Sequence, residues 1–176
     1  PPGKILPLAA KSKEVHEYWS LGEIAERGVQ NSFSGSTGDA VAQLETILNE
    51  AVRLRMVSDV SIGAFLSGGI DSSVIAALMQ KNSDKPVKTF SIGFQESDFD
   101  EAPFAKKVAS HLGTDHTELY VTSQDALSVV HDLPTIFDEP FADPSQIPTF
   151  LLSKLTREKV TVSLSGDGGD ELFCGY

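Results

Sequence analysis

Two stretches of the chain gather small polar and acidic residues directly after an apolar run. The first is "LSGGIDSS", from Leu66 to Ser73. Gly68 and Gly69 tolerate backbone angles that side chains forbid and let a ligand approach the main chain. Their N–H groups can point at an anion, and the N-terminus of the helix that follows adds about half a positive charge. Ser67, Ser72 and Ser73 supply hydroxyl donors, which completes a seat for phosphate oxygens. Asp71 is the odd member, because a carboxylate repels phosphate unless both share a cation such as Mg²⁺. The loop is not a Walker P-loop, since the lysine of that motif is missing. The bland reading is a glycine turn with a capped helix and nothing bound. The fixed order of strand, Ser-Gly-Gly, Asp, Ser-Ser and helix favours anion binding over it.

The second stretch, "SLSGDGGDELFCGY", runs from Ser163 to Tyr176 and repeats the design. Ser165 and Gly166 end a strand, and Asp167, Asp170 and Glu171 follow with Gly168 and Gly169 between them. Alone, "DGGDE" reads as an acidic helix cap. Two such loops in one parallel sheet open on the same edge. A coherent site then places Asp71 and Asp170 on either side of a Mg²⁺–pyrophosphate, where one cation relieves the repulsion between two carboxylates.

The elements that must position these loops alternate. A helical pattern from Asp39 to Val57 repeats Val41, Leu44, Leu48 and Ala51, with Ser36 or Thr37 as its cap. Val60–Leu66 is apolar without alternation and reads as a strand buried on both faces. A helix over 72–80, a strand at Val87–Phe94 and a helix at Ala102–Gly113 follow, with Pro103 in the first turn and Gly113 as the stop. Residues 116–121 form a third strand. A helix starts at Ser123 and is bent or ended by Pro134. A proline-punctuated acidic loop, Asp138–Pro148, precedes a helix over 149–158 and a fourth strand over 159–166. This order predicts an α/β fold with a parallel sheet and helices on both faces. Ligands of such sheets bind at the strands' carboxyl ends, near a topological switch point. Residues 1–36 read as an entry segment and 37–176 as the start of the domain.

Composition narrows the function. The chain has 25 acidic and 14 basic residues, a net charge of −11, which disfavours nucleic acid as a partner. No run approaches the roughly 20 apolar residues of a membrane span, and the first residues lack a signal-peptide pattern. The single cysteine, Cys174, rules out an internal disulfide and suits a reducing compartment, so the cytoplasm is the expected location. His16, His111, His116 and His131 lack zinc-ligand spacing. His116 reads as structural, and Tyr18 and Trp19 as packing groups rather than a base-stacking platform.

With both loops in view, the chain resembles the synthetase domain of glutamine-dependent asparagine synthetases, which are PP-loop ATP pyrophosphatases. "TFSIGF", "HLGTDHTEL" and "DEPFADPSQIP" share the resemblance, which runs from about Asp39 to Tyr176. It implies an enzyme that activates a carboxylate with ATP, forms an acyl-adenylate and pyrophosphate, and lets ammonia displace AMP to leave an amide. It implies that Ser67, Gly68, Gly69, Asp71, Ser72 and Ser73 hold the pyrophosphate part of ATP, and that Asp71 and Asp170 bind Mg²⁺. Leu66, Ile92, Ser165 and Gly166 would line the adenosine pocket, and Asp167 and Glu171 are the catalytic candidates. The loop Asp138–Ser145 would lie near the acceptor. Ammonia would come from a glutaminase domain, and self-association stays open.

The family usually has glycine where Cys174 stands, and a small packing change is the favoured reading. The glutaminase half and the later synthetase helices are not in this sequence, so the fragment is expected to bind nucleotide but to catalyse poorly alone. Three other readings remain. One is a related ligase for another carboxylate, such as a β-lactam synthetase or an amidotransferase for sugar or peptide acids. Another is a nucleotide-binding module without chemistry. The third, a tRNA-thiolating PP-loop enzyme, is disfavoured by the acidic charge and the lone cysteine.

Overall fold

The computed structural model describes residues 2–7, 14–94, 100–137, 139–140, 142–173 and 175. Cys174, Tyr176, Asp138 and part of the entry segment lie outside them. The chain forms two compact units, Pro1–Glu45 and Thr46–Tyr176. The division falls inside a helix, nine residues beyond the boundary read from composition.

In the first unit, β1 (Lys4–Ile5) pairs antiparallel with β2 (His16–Glu17), and Lys4 and Glu17, opposite each other, form an ion pair at 3.2 Å. Helix α1 (Leu21–Gln30) follows, and none of its residues is buried. The sequence pattern left this helix unassigned. Tyr18 is 69 % exposed and Trp19 47 %, so packing covers Trp19 in part and Tyr18 little. Helix α2 (Thr37–Arg55) begins here. Of the two expected caps, Ser36 serves: its amide donates to Asp39 Oδ2 at 2.9 Å, and the Asp39 amide donates to Ser36 Oγ at 3.2 Å. This reciprocal box satisfies two of the donors a helix start leaves open.

The second unit is the α/β body. Its strands are β3 (Ile62–Phe65), β4 (Lys88–Phe94), β5 (Asp115–Val121) and β6 (Val162–Leu164). They form one parallel sheet in the order β5-β4-β3-β6. Helix α3 (Ile70–Lys81) connects β3 to β4 and α4 (Ala102–Leu112) connects β4 to β5. Helices α5 (Ser123–Val130), α6 (Leu133–Ile136) and α7 (Gln146–Arg157) carry the chain from β5 back across to β6. A last short helix, α8 (Gly169–Phe173), follows β6.

Alternation along β3 sorts the layers. Ala64 packs with Val52, Leu78, Met79 and Val87, so one face of β3 meets the end of α2 and α3. Leu66, on the same side, packs with Ala76, Ala105 and Ala109 of α3 and α4. Phe65 points the other way and shares a groove with Phe150 and Thr156 of α7. Phe90 is fully buried beside it. Helices thus cover both faces, as the sequence predicted.

Local signals set the boundaries. Pro103 lies in the first turn of α4, and Gly113 ends that helix at φ 72°. Thr122 caps α5 through a capping box with Asp125. Helix α5 stops at Val130, before Pro134, which instead sits in the first turn of α6. Proline is at ease there because a first-turn N–H has no intrahelical acceptor to lose. Strand β6 is three residues long, shorter than the expected run, and pairs with Ile62, Gly63 and Ala64 of β3.

Candidate active site

The strand order has a direct consequence for the two loops. From β3 the chain steps to β4 and β5 on one side, and β6 returns on the other. The switch point therefore lies between β3 and β6, and the two loops leave the sheet there, at the carboxyl ends of those strands.

The first loop is held by its own hydroxyls. Ser67 Oγ and Ser72 Oγ lie 2.9 Å apart, the Ser67 amide donates to Ser72 Oγ at 3.2 Å, and the Gly69 amide donates to Ser67 Oγ at 3.2 Å. The Gly69 amide is thus turned into the loop rather than outward, contrary to the expectation that it points at an anion. Gly68 has φ 87°, and a methyl group there would come within 2.7 Å of the Ala105 amide nitrogen. Glycine is required both by the turn and by the start of α4 pressed against it. Ser73 Oγ is buried and has no hydrogen-bond partner among the described residues. A buried hydroxyl left unpaired is costly, which makes it a natural contact for a ligand atom.

The second loop docks on the first. A Cβ on Gly166 would lie 2.7 Å from the Ser72 amide nitrogen, and one on Gly169 would overlap the Asp71 carboxylate. Gly168 takes φ 92° with open space beside it. Ser165 Oγ donates to Asp167 Oδ2 at 2.9 Å.

Together the loops and the start of α7 enclose a cleft of about 620 Å³. Ser67, Asp71, Ser72, Gly166, Asp167, Asp170 and Glu171 line it, together with Phe137, Asp143, Ser145, Gln146 and Thr149. Most of the sequence-derived candidates therefore meet in one place. Leu66 does not contribute its side chain, which is 1 % exposed and belongs to the core. Ile92 stands one strand away on β4, half-buried and paired with Leu119, and it is not among the lining residues. Gly68, Gly69, Ser73 and Ser165 are likewise not among the lining residues. Gln146 and Thr149 were not singled out from the sequence. Their spacing of three on the first turn of the helix after the acidic loop was the signal available.

Among the described residues, no three His, Cys, Asp or Glu side chains converge on a metal ion. The described residues build no cage of their own. Asp71 and Asp170 in the lining of the cleft would instead suit a Mg²⁺ whose remaining ligands are phosphate oxygens and water.

His116 lies apart from the cleft. Its Nδ1 is 2.9 Å from Thr89 Oγ1 and its Nε2 is 3.2 Å from Ser91 Oγ, both hydroxyls being buried. Burial lowers its pKa, against the pull of Glu118 and with that of Lys106. The geometry is that of a neutral, structural imidazole.

The fold and the two strand-end loops define the PP-loop class of α/β proteins. Solved structures share the architecture: the NH3-dependent NAD synthetase of Campylobacter jejuni superposes with a TM-score of 0.51 at 17% identity, over 77% of this chain and 60% of that one. The NMN synthetase of Francisella tularensis gives 0.52 at 16% identity, over 81% and 59%. The asparagine synthase family model matches residues 43–176, and the chain belongs to that family. It is 47% identical over 131 residues to a putative glutamine-hydrolyzing asparagine synthetase of Methanocaldococcus jannaschii, covering 74% of this chain and 25% of that protein. It is 39% identical over 136 residues to asparagine synthetase 1 of Bacillus subtilis, covering 77% and 21%. It is 34% identical over 161 residues to the Bos taurus asparagine synthetase, covering 85% and 28%. The chain thus spans a quarter or less of the first two relatives. No helix among the described residues is long and apolar enough to cross a membrane.

Proposed function

We propose that this chain is the nucleotide-binding part of an ATP-dependent ligase that converts aspartate to asparagine. The observation that carries the reading is the meeting of Asp71 and Asp170 in one cleft at the switch point, with the Ser67–Ser73 loop beneath them. Family membership supports the reaction class, and the names of the relatives support asparagine as product and glutamine as nitrogen donor.

In this reading the aspartate side-chain carboxylate attacks the α-phosphorus of ATP, and the α–β bridging bond breaks with its electron pair going to pyrophosphate. Ser67, Ser72, Ser73 and the first-turn amides of α3 hold that pyrophosphate. Mg²⁺, when bound by Asp71 and Asp170, neutralises its charge. Fixed donors do this without reorganising, which makes such electrostatics the largest usual contribution to catalysis. Gly68 and Gly166 admit the nucleotide to the main chain, and the backbone of Leu66 and Ser165 faces the adenosine end. In the second half-reaction ammonia attacks the acyl carbon and AMP leaves. Asp167, held by Ser165, and Glu171 stand at the cleft to accept the proton that the attacking nitrogen loses. Ammonia is supplied by glutamine hydrolysis elsewhere in the full protein.

The test is the full-length protein with ATP, Mg²⁺, ammonia and aspartate, with products separated by chromatography. AMP and asparagine in equal amounts are expected. Absence of aspartate-dependent AMP would overturn the acceptor, and absence of any AMP the ligase reading itself.

A further inference from the structure

The hydrogen bonds around His116 run in one direction, and their far end bears on the phosphate loop. Thr114 Oγ1 donates to the Ala109 carbonyl at 3.5 Å, and the Thr114 amide donates to the same oxygen at 3.1 Å. A hydroxyl carries a single proton, so Thr114 Oγ1 accepts at its 2.9 Å contact with Thr89 Oγ1. The Thr89 hydroxyl is then the donor there and the acceptor at its 2.9 Å contact with His116 Nδ1. Nδ1 therefore carries the proton of the neutral ring. Nε2 is left as an acceptor for the Ser91 hydroxyl, 3.2 Å away. The relay thus runs from Ser91 on β4 through His116 on β5 and back through Thr89 to Thr114, which is tied to the last turn of α4.

Helix α4 in turn backs the loop. Its Ala105 and Ala109 pack with Leu66 and Ala76. Its first turn presses on Gly68, where a Cβ would come within 2.7 Å of both the Ala105 amide nitrogen and the Phe104 carbonyl carbon. Alanines have no flexible side chain to absorb a shift, and a close-packed interior transmits one.

A second proton on His116 would turn Nε2 into a donor. The Ser91 hydroxyl, buried at 2 % exposure, would then lack an acceptor among the described residues. The charged groups near the ring are Glu118 on its own strand and Lys106 on α4, already paired with each other at 3.2 Å. Strand β4 offers it only the two hydroxyls, and β3 brings Ala64 into the same row. Burial, more than either charge, sets the ring against the second proton.

We infer that His116 is a positioning residue for the phosphate loop: its neutral ring seats α4 against Gly68, and a second proton on it unseats α4 and weakens the hold on a nucleoside triphosphate. The inference rests on the nucleotide-binding reading above and gives that site a switch in the histidine range.

The experiment measures the Kd for ATP with Mg²⁺ in the full-length protein and its His116→Gln variant, between about pH 7.5 and 5.5 and well below the melting temperature. Glutamine keeps a donor and an acceptor at this position but does not titrate. The wild type should lose ~5–20-fold more affinity than the variant over that range, a typical coupling between two sites. Protonation of ATP itself affects both proteins and cancels in the comparison. Parallel profiles would overturn the proposal, whatever their offset. The second measurement needs only the wild type. Because linkage is reciprocal, ATP must move the titration midpoint of the His116 imidazole resonance to lower pH. The negative charge of bound ATP acting through space would move it the other way, so a midpoint that rises or stays in place would also overturn the proposal, even if the variant does not fold. If the wild type binds no ATP at the upper end of the pH range, the nucleotide reading fails first and the proposal with it.

Discussion

The backbone of Gly169 rests against the carboxylate of Asp71, so closely that any side chain at 169 would occupy the space of the carboxylate oxygens. The contact joins two loops from strands whose sequence positions are far apart. It also explains why a glycine opens α8, since that position has ordinary helical geometry and needs no left-handed angle.

Gly169→Ala should therefore act through Asp71 alone. Alanine favours the helix by up to about 1 kcal/mol, so the melting temperature should hold or rise. Mg²⁺-dependent pyrophosphate release should fall by roughly 10²-fold, as expected when a charge-stabilising group is misplaced. Gly168→Ala is the control. Its methyl group would meet nothing, and the left-handed φ of 92° costs it about 1–2 kcal/mol of stability instead.

Asp71→Asn and Asp170→Asn keep the shape of the cleft and remove one charge each. Both should cut pyrophosphate release by ~10²-fold or more and raise the Mg²⁺ concentration needed for half-activation. Metal titration of the rate is the measurement. A variant with wild-type rate and wild-type Mg²⁺ dependence would remove that residue from the metal assignment.

His116 predicts a pH dependence of stability. Its folded pKa is lowered, chiefly by burial, so the unfolded chain binds the proton more readily. Stability is then fully present above the ordinary histidine range and is lost as pH falls through about 6.5, the unfolded value, towards the lower folded one. Melting curves of the wild type between pH 7.5 and 5.5 should fall more steeply than those of His116→Gln. Parallel curves would show that the proton is taken up elsewhere.

Gly63 marks a tight point of the sheet. A Cβ there would stand 2.7 Å from the Phe90 ring and 2.8 Å from the Lys88 carbonyl oxygen. The carbonyl belongs to the paired strand and cannot move without loosening β4. Gly63→Ala should cost about 1–3 kcal/mol, read as a drop in melting temperature with the cleft chemistry intact.

The class of the sheet followed from particular residues, while its strand order did not. Val60–Leu66 was readable as a strand because it is apolar without alternation, and the Ser-Gly-Gly after it announced the loop. Asp71 and Asp170 could be paired in advance because parallel strands end on one edge. Helix α1 was readable, because Leu21, Ile24, Ala25 and Val29 recur at helical spacing, although the fold buries none of them. Leu66 was placed at the nucleotide by resemblance, yet its side chain is needed by Ala76 and Ala105 in the core, which sequence order does not reveal. Gln146 and Thr149 were missed because their role depends on how α7 is brought back over the sheet. That placement is set by the long crossover and not by local composition.

The strand order also dictates the sequence of events in folding. Gly63 of β3 finds its partner Lys88 nearby along the chain, but Ile62 must wait for Val162. Closing a segment about four times longer costs roughly 1 kcal/mol more in chain entropy, and contacts between distant residues form slowly. On a ribosome, β3, β4 and β5 can assemble before β6 has been made. The edge that pairs with β6 is the same edge that completes the cleft, so the two strand-end loops meet only once β6 is in place. A ligand held by both loops would thereby favour the four-stranded sheet over its three-stranded precursor.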